Sequence, residues 1–393
     1  MIDIRGIFMS EKKWVAGWGA SISTVGQNYA DYIKDETVRY VIFPTMNADA
    51  LRLHFSNEYG TESCTINKVF VALRTSDEYI DESTNKQVTF GGKAELTLAP
   101  GEDAVSDPVE FDVKAGVEFD VSMYFADFTH ITTGHSNNGY YIKKYFTKGD
   151  YAAAAEIPLV SYGQDGPYLF LHTIDFLTDA SKDCRAVVAF GDSITAQPWP
   201  DCFAHRLFDL GINDRAIIRK GIGGSRVLRE YKYRIKKHWG AAGIKRFERD
   251  IVQAGADRVF VLHGINDLIH PGENNRLCYM DELPTSEELI ENGYKKYIEI
   301  ARAHGMKIYL ATILPCPRCM NDDGIREKVR CEVNEWIRTS APCDGVIDFE
   351  AAVWDENDHK QIKFEYDSGD HLHPSLEGAT KMANSVPLEY LDR

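Results

Sequence analysis

Val187-Val-Ala-Phe-Gly-Asp-Ser-Ile-Thr195 joins a short apolar run to a small turn and then to a helix-like segment. An apolar run of this length that ends at a glycine reads as a buried strand. In an open α/β sheet, ligands bind outside the carboxyl ends of the strands. A residue just after such a strand also sits near a helix N-terminus, where free amides and a partial positive charge favour developing negative charge. Ser193 is therefore a nucleophile candidate by position. The competing reading is that Asp192 or Ser193 only caps the helix.

The same strand-then-helix pattern recurs through the second half of the chain. Apolar runs AVVAF (186–190), AIIR (216–219), RVFVLHG (258–264), KIYLATIL (307–314) and GVIDF (345–349) alternate with helical stretches at 199–210, 244–254, 286–304 and 324–339. Such alternation predicts a parallel sheet covered by helices on both faces. From Trp14 to Thr178 the pattern differs: short β-rich runs at 38–43, 51–55, 68–73, 94–98, 109–113, 117–125 and 140–146, with turn residues between them. Many short strands at this spacing predict a β-sandwich or jelly roll. The change falls in or near 177–185, so the expected division is a β-sandwich/jelly-roll domain at 12–180 and an α/β domain at 184–393. No repeat of fixed period and no low-complexity tract appears.

A serine hydroxyl needs a base within hydrogen-bond reach, ideally one oriented by a carboxylate. Tyr366-Asp-Ser-Gly-Asp-His-Leu-His-Pro374 supplies both, with Asp370 three residues before His373. That spacing lets an Asp on a turn reach Nδ1 of the His while Nε2 points toward the serine. Pro374 suits the first turn of a final helix at 375–385. The oxyanion of an acyl transfer also needs donors. Gly221-Ile-Gly-Gly-Ser-Arg226 follows a strand and is small enough to bring backbone N–H groups close to a substrate. His263-Gly-Ile-Asn-Asp267 follows RVFVL and presents the side-chain amide of Asn266 at the same sheet edge.

GDSIT, GIGGS, GIND and DHLHP stand in the order and approximate spacing of the four blocks of the SGNH (GDSL-like) hydrolases, and residues 184–392 resemble that superfamily. The resemblance implies a three-layer, flavodoxin-like parallel sheet. It implies Ser193 as nucleophile, His373 as base and Asp370 as its orienter. The implied oxyanion hole is the backbone N–H groups of Ser193 and Gly224 with the Asn266 amide. Gly224 is taken over Gly223 because the family's glycine directly precedes a polar residue, here Ser225. Many relatives carry Asn at that polar position, so Ser225 is a departure. The first half, with TVRYVIFPTMNADALRLHFSNEYG and SDPVEFDV, resembles the β-rich domain ahead of some bacterial members.

Other residues invite two readings. Trp199, six residues past Ser193, either lines an acyl or sugar pocket or packs its helix onto the sheet. His135, in a polar loop of the β-rich half, either reaches the hydrolase cleft or belongs only to its own domain. His263 and His371 lie beside the blocks and are expected in structural or supporting roles, because one His already fills the base position. Asp192 is expected to shape its turn and Asp267 to cap or anchor. The basic run YKYRIKKH (231–238) reads as a solvated helix face. Cys316 and Cys319 have the spacing of half a zinc site, but no second ligand pair accompanies them, so no metal and no cofactor is expected.

Asp plus Glu outnumber Lys plus Arg by 60 to 44, a formal charge of −16. Such a surface repels phosphate backbones and anionic membranes, which argues against nucleic acid and membrane partners. The N-terminal MIDIRGIFMSEKKWVAG lacks the apolar core of a secretory signal, and the eight cysteines read as reduced thiols, so a cytoplasmic location is expected. The expected partner is a small-molecule or oligosaccharide ester, and a homo-oligomer is compatible with the composition. The expected activity is hydrolysis of short acyl esters, acetyl foremost, on carbohydrates or related polyols. The alternatives are a lipase or lysophospholipase-type acylhydrolase with the same chemistry, and a non-catalytic glycan-binding protein.

Overall fold

The computed structural model describes residues 11–26, 29–135, 140–158, 166–232, 234–272, 278–317 and 324–392. In chain order the longer strands of the first part are β1 (Lys12–Gly19), β2 (Glu36–Ile42), β3 (Ala48–Ser56), β4 (Lys68–Leu73), β5 (Lys86–Val88), β6 (Asp103–Val105), β7 (Val109–Val113), β8 (Phe119–Phe125), β9 (Lys144–Lys148) and β10 (Leu171–Asp179). One antiparallel sheet runs β1-β10-β3-β6, with β7 also paired to β3, and a second runs β9-β2-β8-β4-β5. In VEFDV of β7, residues alternate buried and exposed, as a strand with one solvated face must. β8 lies central in its sheet and is buried almost throughout. Phe119 of β8 packs on Phe111 of β7 at 5.5 Å and on Phe176 of β10 at 6.2 Å, so the two sheets face each other as a sandwich.

The second part carries β11 (Arg185–Gly191), β12 (Arg215–Gly221), β13 (Ala256–Leu262), β14 (Lys307–Ala311) and β15 (Gly345–Ile347), all parallel, in the order β12-β11-β13-β14-β15. This is the flavodoxin-like order, whose switch point lies where the chain turns from β12 back past β11 to β13. Its helices include α1 (Ser193–Ala196), α2 (Trp199–Asp209), α3 (Gly243–Ile251), α4 (Ile265–Ile269), α5 (Lys295–Ala303), α6 (Ile325–Thr339) and α7 (Leu376–Ser385). Phe203 of α2 packs on Phe260 at 6.1 Å, whereas Phe247 of α3 packs on Phe190 at 4.8 Å and on Tyr297 of α5 at 4.3 Å. Phe190 and Phe260 come from offset positions of adjacent strands, so these helices cover opposite faces of the sheet.

Several boundaries differ from the sequence reading for local reasons. The run expected at 307–314 ends as a strand at Ala311, because the Ile313 N–H goes to the Asn334 side chain and its carbonyl accepts from Arg330 and Asn334. The helix expected at 286–304 contains a π turn, Ile290–Tyr294, just before α5. Pro374 precedes the final helix instead of opening it: Ser375 is the N-cap, its hydroxyl accepting the Gly378 N–H. The strand expected at 140–146 begins only at Lys144, and Tyr141 lies ahead of it, stacked on His205 at 4.1 Å.

The two parts share one continuous hydrophobic core. Ala16 N–H donates to Ala254, Thr45 to the Arg215 carbonyl at 2.6 Å, and buried Lys220 to the Ala20 carbonyl at 2.8 Å. Among the described residues, no helix is long and apolar enough to cross a membrane.

Candidate active site

β11 delivers Ser193 to the switch point. Gly191 ends the strand so close to β13 that a β-carbon there would lie 2.0 Å from the Leu262 carbonyl oxygen. Asp192 then caps α1, its carboxylate accepting the Ile194 N–H at 3.0 Å. The capping reading therefore applies to Asp192 and leaves the Ser193 hydroxyl for another partner. Ser193 Oγ lies 2.7 Å from His373 Nε2, and His373 Nδ1 lies 2.6 Å from Asp370 Oδ2. Asp370 Oδ1 accepts the N–H groups of Leu372 and His373 at 3.0 and 2.8 Å. Burial alone would push the Asp370 carboxyl up, but the His373 ring and these N–H groups outweigh it and hold it at about 2. An ionised Asp370 requires the proton of a neutral His373 on Nδ1, which leaves the Nε2 lone pair facing the serine.

The loop after β12 passes beside this serine. A β-carbon on Gly223 would lie 3.9 Å from Ser193 Cβ. Gly224 has φ +77°, and a β-carbon there would lie 2.2 Å from the Trp239 ring, so both backbone and packing require glycine. The neighbouring peptide groups are pinned one by one. Tyr231 donates its hydroxyl to the Gly224 carbonyl at 2.8 Å, and the Ser225 N–H goes to Ile222. Ser225 O accepts from Asn266 Nδ2 and from His263 Nε2, both at 3.0 Å. Asp267 accepts the N–H groups of Val227 and Leu228 at 2.7 and 3.1 Å. Among the described residues, the Gly224 N–H has no acceptor. An amide carries two N–H bonds, so Asn266 retains one beyond the bond to Ser225.

Arg246 of α3 lies beneath both segments, with its side chain fully buried. It donates to Gly191 O at 2.6 Å, Lys220 O at 3.2 Å, Ser225 Oγ at 3.3 Å and Asp250 Oδ2 at 2.6 Å. Burial would raise the Asp250 carboxyl, but the charges of Arg249, Arg246 and Lys220 hold it at about 2. Burial pushes Asp192 up to about 7, against the Ile194 N–H. It also pushes Asp267 up to about 6, against the N–H groups of Val227 and Leu228. His263 is pushed down to about 3 by burial and then by the Arg246 charge.

Ser193, His373 and Asp370 thus converge, and the Gly224 and Asn266 segments lie beside them. His263 sits under the loop, bonded to Tyr297 and Ser225, and His371 is held by Asp367. Two expectations change. Trp199 is 1% exposed, with its indole packed edge-on against Phe349 at 5.1 Å, so it offers no ring face to a substrate. The helix needs that bulk to seat on the sheet. His135 is also buried, stacked on Tyr168 at 4.7 Å instead of opening into a cleft. Cys316 is buried, and Cys319 lies outside the described residues. Among the described residues no group of three His, Cys, Asp or Glu side chains could hold a metal ion.

In the basic run Lys232 and Lys237 are exposed as expected, but its first residue is not. Tyr231 is buried, and with Trp239 and His270 it forms an aromatic cluster against Gly224, with Trp239 and His270 stacked at 4.9 Å. Arg246 and Tyr231 are the supporting residues that the sequence reading missed. The amphipathic spacing of Arg246, Phe247 and Asp250 was visible, but nothing in it told a buried arginine from a solvated one. The second part also receives support from the first: Ser23 Oγ donates to the His238 carbonyl at 3.0 Å, immediately before Trp239.

Residues 189–381 match the model of the GDSL-like Lipase/Acylhydrolase family. Solved structures to which this chain is similar include a member of the lipolytic protein G-D-S-L family from Veillonella parvula, with 18% identity and a TM-score of 0.33 over 51% of this chain and 96% of that one. A carbohydrate acetylesterase from Sinorhizobium meliloti matches with 18% identity and a TM-score of 0.35 over 51% and 95%. A lipase from a goat rumen metagenome matches with 16% identity and a TM-score of 0.36 over 51% and 95%. No curated protein sequence gives a significant match.

Proposed function

We propose, for a chain whose residues 189–381 form a GDSL-like lipase/acylhydrolase domain, that it is a serine esterase that removes short acyl groups, acetyl foremost, from carbohydrates or related polyols. The observation that carries this reading is the unbroken hydrogen-bond chain from Ser193 through His373 to Asp370. Ser193 Oγ attacks the ester carbonyl carbon while His373 Nε2 takes its proton. The negative charge that develops on the carbonyl oxygen is met by the N–H groups of Ser193 and Gly224 and the free N–H of Asn266. Collapse of the tetrahedral intermediate breaks the bond to the alcohol, which leaves with the proton from His373. Water then attacks the acyl-serine by the same route and releases the acid. Asp370 stays ionised and holds the imidazolium that forms in each half.

The Trp239 ring lies against Gly224, and in this reading it is the wall that keeps the acyl group short. The division at 12–180 and 184–393 belongs to this reading, with the β-rich part as a buttress through Ser23 and Lys220. The test is a series of p-nitrophenyl esters with acetylated oligosaccharides alongside. The expected result is acetate release from the oligosaccharides and a kcat/KM that falls at least about tenfold from acetyl to octanoyl, the discrimination that a few methylenes allow. Equal or better turnover of the octanoyl ester overturns the acetyl preference and favours a lipase-type activity.

A further inference from the structure

The loop that carries the base builds the same device twice. Asp370 receives the N–H groups of Leu372 and His373 on Oδ1 and the His373 ring on Oδ2. Asp367 receives the N–H groups of Gly369 and His371 on Oδ1, at 2.8 and 3.0 Å, and the His371 ring nitrogen Nδ1 on Oδ2 at 2.7 Å. The inner ring faces Ser193. The outer ring is 68% exposed, although the carboxylate that holds it is only 7% exposed.

His371 also has φ +59°, in the left-handed region that disfavours residues with a β-carbon. Glycine would occupy this position without strain. An imidazole so exposed adds little burial to offset that strain. A strained residue whose side chain is fixed by a buried carboxylate, two positions from the base, is the arrangement expected of a group kept for contact with a ligand.

We infer that His371 binds substrate, accepting a hydrogen bond from a hydroxyl on the alcohol part of the ester. With Nδ1–H donated to Asp367, the neutral tautomer of the ring presents a lone pair on Nε2, and a hydroxyl beside the scissile ester is its complement. A sugar or polyol ester offers that hydroxyl, and a simple alkyl ester does not. The inference rests on the esterase reading of Ser193 and deepens it by naming what distinguishes the preferred alcohol.

Glycerol monoacetate and ethyl acetate share the acyl group and differ in the hydroxyls of the leaving alcohol. The quantity to measure is the ratio of kcat/KM for the first over the second, in wild type, His371→Gly and His371→Asn. Glycine and asparagine both tolerate a positive φ, so neither variant strains the loop. The expected result is a ratio about tenfold lower in both variants, the effect of one hydrogen bond, carried mainly by a higher KM for glycerol monoacetate. A ratio unchanged within about twofold overturns the inference, whether both rates stay or both fall, since a purely structural role moves the two esters together. If wild type hydrolyses neither ester, or Ser193→Ala hydrolyses both, the esterase reading itself falls and takes this inference with it.

Discussion

The guanidinium of Arg246 donates a 2.6 Å hydrogen bond to the carbonyl oxygen of Gly191, the last residue of the strand that presents Ser193 two positions later. The same side chain reaches Ser225 in the neighbouring loop and is neutralised by Asp250. The turn that carries Ser193 and the loop that carries Gly224 are thus set by one buried cation. Removing Arg246 leaves Asp250 to Arg249 and Lys220 but strips the Gly191 and Lys220 carbonyls of a charged donor, and breaking a buried pair of this kind costs up to about 3–5 kcal/mol. Arg246→Met should lower the unfolding free energy by up to that amount in urea denaturation, and Asp250→Leu, which takes the carboxylate from Arg246, Arg249 and Lys220 together, should lower it as well. A loss below about 1 kcal/mol would contradict the placement.

Asn266 and Gly224 are expected to act on the transition state and not on the bound ester. Asn266→Ala removes one donor, and Gly224→Ala forces the loop away from Trp239 and from a backbone angle that only glycine holds easily. Each should lower kcat by about 10²–10³ with little change in KM. A raised KM at unchanged kcat would assign both residues to ground-state binding instead.

His263 makes stability depend on acid. It is neutral in the fold down to about 3, whereas an unfolded histidine takes its proton near 6.5. Between those values the unfolded chain binds more protons, so this contribution is complete above about 6.5 and is lost as pH falls toward 3. In urea titrations from pH 8 to 4, the stability of wild type minus that of His263→Gln should be flat above about pH 7 and decline below it. A flat difference across the range would show that His263 is not buried as a neutral ring.

Trp199 is expected to matter for the fold alone. Trp199→Leu leaves a cavity against Phe349 and should destabilise by about 2–4 kcal/mol, as large-to-small core changes do, without altering KM. A changed KM at unaltered stability would restore the pocket role that its sequence position suggested.

These outcomes separate what could be read in the chain from what could not. The parallel sheet was legible because its strands are buried on both faces and so are almost continuously apolar, as in Ala186–Phe190. That Ser193, Asp370 and His373 would meet could be anticipated, because an Asp three residues before a His in a turn can hold that ring toward a serine at a strand end. Trp199 and His135 were not legible, since an aromatic ring near a site looks the same in sequence whether its face is open or packed. Tyr231 was hidden inside a basic run: the lysines and arginines around it announce solvent, while its own hydroxyl is turned inward to Gly224. His371 stood out in the chain only by lying beside a block, and its positive φ could not be read there because it is a property of the folded loop.

The proposal that Ser193 is the nucleophile stands or falls on covalent labelling. A fluorophosphonate probe phosphonylates a serine only when a base activates it and donors hold the resulting oxyanion. Wild type should be labelled with the adduct mapped by mass spectrometry to Ser193, Ser193→Ala should not be labelled, and His373→Ala should label at least about a hundredfold more slowly, the loss expected when a general base is removed. Equal labelling of wild type and Ser193→Ala would contradict it.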